Sequence, residues 1–187
     1  MKYQYITWPE MHDDIHDLSM KIEKNYRADI IVAIARGGLT IAHILSDFLE
    51  LPITAFTVSS YHDQKQVSIP KITLHLGNKL HGKKILLVDN VSDTGKTFIR
   101  GLAYLKENGA SEIKTVSPYI KPWTKFMPDF YQKSLNEWII FPFDMKENVL
   151  SVAKGLKKEG HSKKEIVRIF QKIKIPKRFV DYYLMFD

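Results

Sequence analysis

Short apolar runs alternate along the chain with stretches whose apolar positions recur every three or four residues. Residues 29–34 (DIIVAI), 53–58 (ITAFTV), 85–88 (ILLV) and 112–119 (EIKTVSPY) are brief and mostly rich in branched side chains, as buried strands are. Met11, Ile15, Leu18 and Ile22 lie on one face of a helix predicted over 11–26, after a turn at Trp8-Pro9. A second helix is predicted over 39–51 and a third over 98–109, where Phe98, Ile99, Leu102 and Leu105 keep helical spacing and Gly109 supplies a stop. The pattern breaks between His62 and His81, although residues 71–76 alternate well enough for one strand of a hairpin. Residues from Ile120 to Asp144 are dense in proline and aromatics and predict a small irregular lid instead of regular sheet. Beyond 145 no strand-like run occurs. Helices are expected over 148–158 and 162–172, the latter with Ser162 as N-cap and Glu165 closing a capping box, and a third short one after Ile175-Pro176-Lys177. Strands alternating with helices predict an α/β fold with a mostly parallel central sheet flanked by helices, ligand binding at the carboxyl ends of the strands. The division expected is a domain over 1–145, lid about 120–144 included, and a helical C-terminal extension over 146–187.

The 187 residues suffice for one domain with a sizeable core and a small appendage. With no cysteine, disulfides and thiolate metal sites are excluded, which fits a reducing compartment. No apolar run resembles a signal peptide, and none approaches the ~20 residues of a membrane span, so a cytoplasmic protein is expected. The formal charge of +7 and pI near 9.4 favour anionic ligands, phosphorylated small molecules and nucleic acid alike. His12, Asp13 and His16 could be imagined as metal ligands, but polar residues on a helix surface explain them far better.

The chemistry concentrates in residues 84–97, KILLVDNVSDTGKT. A buried strand ends at Asp89-Asn90, a polar loop follows, and a helix opens behind Gly95. The unpaired N–H groups of such a loop and of the helix's first turn make an anion site, with two threonine hydroxyls beside it. Gly95-Lys96-Thr97 is not a nucleoside-triphosphate P-loop, because Asn90 stands where that motif needs its first glycine, and Asp89 and Asp93 would face the polyphosphate. A second loop of this kind follows the first strand: Arg36-Gly37-Gly38 lets backbone come close and places a guanidinium for phosphate.

Four apolar residues, a polar pair and a loop ending Asp-Thr-Gly-x-Thr resemble the 5-phosphoribosyl-1-pyrophosphate (PRPP) motif of type I phosphoribosyltransferases. The Arg-Gly-Gly loop resembles that family's pyrophosphate loop, in which the peptide before the basic residue is often cis; the resemblance implies such a bond at Ala35–Arg36. Ser60-Tyr61 matches the pair opening the family's flap over the active site, with Lys65 the nearest basic residue in it. Lys121-Pro122, then Trp138-Ile139 and Pro142-Phe143-Asp144, resemble the 6-oxopurine branch, particularly bacterial xanthine-guanine phosphoribosyltransferases.

The resemblance implies a purine-salvage enzyme that moves ribose-5-phosphate from PRPP to guanine, hypoxanthine or xanthine, giving a nucleoside monophosphate and pyrophosphate. It implies these roles: Arg36, Gly37 and Gly38 on pyrophosphate; Asp89 and Asn90 on the ribose hydroxyls; Asp93, Thr94, Gly95, Lys96 and Thr97 at the 5′-phosphate; Asp93 as general acid/base at purine N7. Lys121 would donate to O6, Trp138 would stack on the base and the Ile139 backbone would meet its edge. Asp144 and Asp89 would help hold Mg²⁺, and a homodimer is the family's usual state. Asn90 departs from the usual second carboxylate and brings no charge for magnesium. Two alternatives stay open: a PRPP- or nucleotide-sensing regulator binding nucleic acid through its basic tail, and a phosphoribosyltransferase for another base. The tail, outside the resemblance, reads equally as a helix-turn-helix or as a packing or oligomerisation extension.

Overall fold

A computed structural model describes residues 2–62, 65–78 and 80–185, without the side chains of 60–69. The chain forms two compact units, His12–Asn136 and Met1–Met11 with Glu137–Asp187. In chain order the first elements are strand β1 (Tyr3–Tyr5), helix α1 (Trp8–Asn25), β2 (Ile30–Ala35), α2 (Gly37–Leu49), β3 (Ile53–His62) and β4 (Lys65–Leu74). The middle of the chain holds β5 (Lys84–Val88), β6 (Val91–Ser92), α3 (Lys96–Glu107), β7 (Glu112–Ile120), β8 (Phe130–Ser134) and β9 (Trp138–Ile140). Helices α4 (Met145–Lys158), α5 (Lys163–Lys172) and α6 (Lys177–Met185) complete it.

The larger unit is an α/β sheet in the order β4-β3-β2-β5-β7, with β6 and β8 also pairing β7. Every pair is parallel except β3–β4. Strand β2 lies against β5 with Ile31 opposite Leu86 and Ala33 opposite Val88. Their apolar runs are buried almost throughout, which is why they read as continuous and not alternating. Val32, Ile34, Phe56, Ile85, Leu87, Phe98 and Leu105 form one core cluster. Because β2 and β5 are parallel neighbours, the loops leaving their carboxyl ends start side by side.

In the smaller unit β1 pairs β9 in parallel, Gln4 opposite Ile139. Ile140 joins the apolar faces of α4, α5 and α6 in a second core, with Tyr3 and Tyr5 packed against it. Ser162 caps α5, and Glu165 completes the capping box expected there. No helix among the described residues is long and apolar enough to cross a membrane.

Two sequence expectations are corrected. Trp8-Pro9 is not a turn before the helix but its first residues; a proline in the first turn loses no hydrogen bond. The stretch from Ile120 to Asp144 is not irregular throughout. Phe130–Ser134 adds to the main sheet beside β7, and Trp138–Ile140 pairs with the chain's first strand. Strands of five and three residues show no readable alternation, and their partners are fixed only by the tertiary fold.

Candidate active site

The two loops meet across Gly37 and Gly38. A Cβ on Gly38 would run into the carbonyl oxygen of Val88, and one on Gly37 into the Asn90 side chain. The Arg36–Gly38 turn therefore lies directly against the Asp89-Asn90 corner. Arg36 is exposed and immediately precedes α2, and the Ala35–Arg36 peptide is cis. The first N–H groups of α2 have no intrahelical partners. They give the loop a partial positive end.

Gly95 precedes α3 with φ +79°, a conformation side chains disfavour, and its Cα side abuts Phe126. Thr94 and Thr97 are half-buried, and Lys96 is exposed at the helix start. This second cup is moored from the other side. Ser92 Oγ donates to the Phe126 carbonyl at 2.8 Å and lies 2.9 Å from Thr124 Oγ1. The Lys121 amide donates to the Ser92 carbonyl at 3.0 Å, and Phe126 stacks on Phe98 with centroids 5.3 Å apart. The irregular segment 121–129 is thus pinned onto the loop.

Asp89 is buried, and burial pushes its carboxyl up to about 7, against the Asn90 N–H that donates to its Oδ1 at 2.9 Å. Near neutral pH it is divided between the acid, which can donate to a hydroxyl, and the carboxylate, which accepts. Asp93 is exposed on the loop. Its Oδ1 accepts a 2.8 Å hydrogen bond from Trp123 Nε1. Lys121, buried at 6% exposure, holds its ammonium 5.7 Å from the Trp123 ring centroid. Trp123 thus stands with Asp93 and Lys121, a residue that sequence reasoning passed over. The only signal was an aromatic directly after Lys-Pro.

The larger unit therefore brings together Arg36, Gly37, Gly38, Asp89 and Asn90, and groups Asp93–Thr97 with Lys121. Trp138, Ile139 and Asp144 belong to the smaller unit. There the Trp138 indole, 44% exposed, donates to Asn148 Oδ1 at 3.2 Å, Ile139 is buried, and the Asp144 carbonyl accepts from the Asn148 amide and side chain, each at 3.0 Å. The side chains of Ser60, Tyr61 and Lys65 lie outside the described residues. Among the described residues no three histidines, aspartates or glutamates gather as a metal cage.

Comparison with known proteins bears on the fold and the family. A family model described as phosphoribosyl transferase domain matches residues 3–149. The xanthine-guanine phosphoribosyltransferase of Nitratidesulfovibrio vulgaris (Hildenborough) is 30% identical over 142 residues, 74% of this chain and 83% of that one. The crystal structure of a purine phosphoribosyltransferase from Pyrococcus horikoshii is 37% identical with a TM-score of 0.69, covering 76% of this chain and 94% of the other. A hypothetical protein from Neisseria gonorrhoeae, solved with bound ppGpp, is 27% identical with a TM-score of 0.68, over 77% and 90% of the two chains.

Proposed function

The chain belongs to the phosphoribosyl transferase domain family, and from that premise we propose that it is a purine phosphoribosyltransferase joining ribose-5-phosphate from PRPP to a 6-oxopurine. The observation that carries this reading is the abutment of the two loops. Gly37 and Gly38 press the Arg36 turn against Asp89-Asn90, so a pyrophosphate cup and a ribose corner adjoin, with the 5′-phosphate cup at Thr94–Thr97 further along the same loop.

Arg36 and the α2 amides take the pyrophosphate, Asp89 and Asn90 the ribose hydroxyls, and Thr94, Gly95, Lys96 and Thr97 the 5′-phosphate. The bond between the anomeric carbon and pyrophosphate oxygen breaks, its electron pair leaving with pyrophosphate. Purine N9 forms the new bond to that carbon, and Asp93 accepts the proton given up at N7. Arg36 stabilises the charge gathering on the leaving group. Lys121 donates to O6; an adenine amino group there would oppose donor to donor, which selects oxopurines. The family resemblance assigns stacking on the ring to Trp138, contact with its edge to the Ile139 backbone, and exclusion of water to a flap bearing Ser60 and Tyr61. That the Neisseria neighbour holds ppGpp, a guanosine nucleotide, supports a guanine-type ligand.

Carboxylate oxygens are the ligand type that magnesium takes, although among the described residues no three acidic or histidine side chains gather. Asp89 and Asp144 are the residues that would add a ligand. A magnesium ion, when bound, would supply positive charge to offset that of the pyrophosphate. The same reading places the enzyme in the cytoplasm as a homodimer. Incubation with PRPP and each of guanine, hypoxanthine, xanthine and adenine tests the proposal. Nucleotide and pyrophosphate should form with oxopurines and not with adenine; no product with any oxopurine overturns it.

A further inference from the structure

We infer that Trp123 is a positioning residue, whose indole aims the Asp93 carboxylate and underlies the Lys121 ammonium, so that one side chain sets both groups facing the N7 and O6 edge of the base. The inference rests on the assignment of Asp93 and Lys121 made above and extends it.

Asp93 sits exposed in a loop, outside any helix or strand that would fix its rotamer. It is anchored by the 2.8 Å hydrogen bond from Trp123 Nε1. An indole N–H is a donor only, so it takes one carboxylate oxygen and turns the other toward an incoming base. Lys121 lies within the ~6 Å range at which a cation is held over an aromatic face. The ring is no core residue, being 54% exposed. Its backbone is nevertheless rigidly seated. The Thr124 amide donates to the Lys121 carbonyl at 3.0 Å, and the segment is pinned through Ser92 to the carboxylate's own loop. N7 and O6 are neighbours on one purine edge, and a proton acceptor and a donor must meet them at a fixed separation. A ring that touches both supplies that separation.

The experiment is a cycle of W123F, D93N and the double variant, with kcat, the KM for PRPP and guanine, and thermal midpoints recorded for each. W123F keeps an aromatic face under Lys121 and deletes only the N–H donor. The expected result is a kcat lowered about 10- to 100-fold, the range of one lost charge-assisted bond, with PRPP KM within about twofold of wild type and an unchanged midpoint. In the D93N background the same substitution should cost less than about threefold, since no carboxylate remains to aim. A purely structural role predicts the opposite: equal losses in both backgrounds, or a raised PRPP KM. If D93N is impaired and W123F is not, the positioning role falls alone. If D93N turns over normally, the assignment of Asp93 falls and the positioning role with it.

Discussion

Replacing Phe170 by alanine asks what the C-terminal helices do for the enzyme. Phe170 has no exposed surface and packs in α5 among Met145, Val149, Leu156, Ile166 and Val180. Deleting a fully buried phenyl ring from such a cluster costs about 3–5 kcal/mol, transfer and cavity terms together. The same cluster contains Ile140 of β9, and Tyr3 and Tyr5 of β1 pack against it. The loss should therefore reach the two-stranded sheet that carries Trp138 and Ile139. Amide exchange in the smaller unit should accelerate by about two to three and a half orders of magnitude, in peptides spanning 3–5 and 138–140 as well as in α4–α6. Because the phosphate cups belong to the other unit, the KM for the purine should rise while that for PRPP stays put. Accelerated exchange confined to α5 and α6, with β1 and β9 protected as before, would refute the reasoning. The helices would then be an appendage and not the footing of the strand that carries Trp138.

Lys121→Ala should lower kcat/KM for oxopurines about 10- to 100-fold, the worth of a charge-assisted bond to O6, with little change in PRPP KM; steady-state kinetics with guanine and hypoxanthine checks this. Gly38→Ala must push the α2 loop off the Val88 carbonyl, and calorimetric PRPP affinity should fall by about tenfold or more; wild-type affinity would mean the loops do not act as one. Asp89 sets a pH signature. Its folded value of about 7 exceeds the ordinary 3.8, so between those values the native state holds a proton that the unfolded chain has released. Stability should fall as pH rises from about 4 to 7, by roughly 4 kcal/mol if burial acts alone, and Asp89→Asn should flatten that slope in urea titrations.

What the sequence disclosed was what is local. A strand running into a glycine loop and a helix is contiguous, so both loops and the parallel sheet that carries them could be read from spacing. The capping box at Ser162 and Glu165 spans four residues and is equally legible. The clasp between Asp93 and Trp123 spans thirty positions and depends on Ser92 gripping Phe126, so no periodicity announces it. Strands β1 and β9 are three residues each and stable only against each other and the helical cluster, and β8 takes its place from β7. Asn90 read as a lost carboxylate. In the fold it is also the side chain against which Gly37 closes, a role invisible without its neighbour.

The central claim is that two backbone cups, one behind β2 and one behind β5, hold the two ends of one doubly phosphorylated sugar. A crystal structure with guanosine monophosphate and pyrophosphate tests it most directly. The account predicts the 5′-phosphate against Thr94–Thr97 and the pyrophosphate against Arg36–Gly38, with O6 at Lys121. A 5′-phosphate seated anywhere else would contradict it.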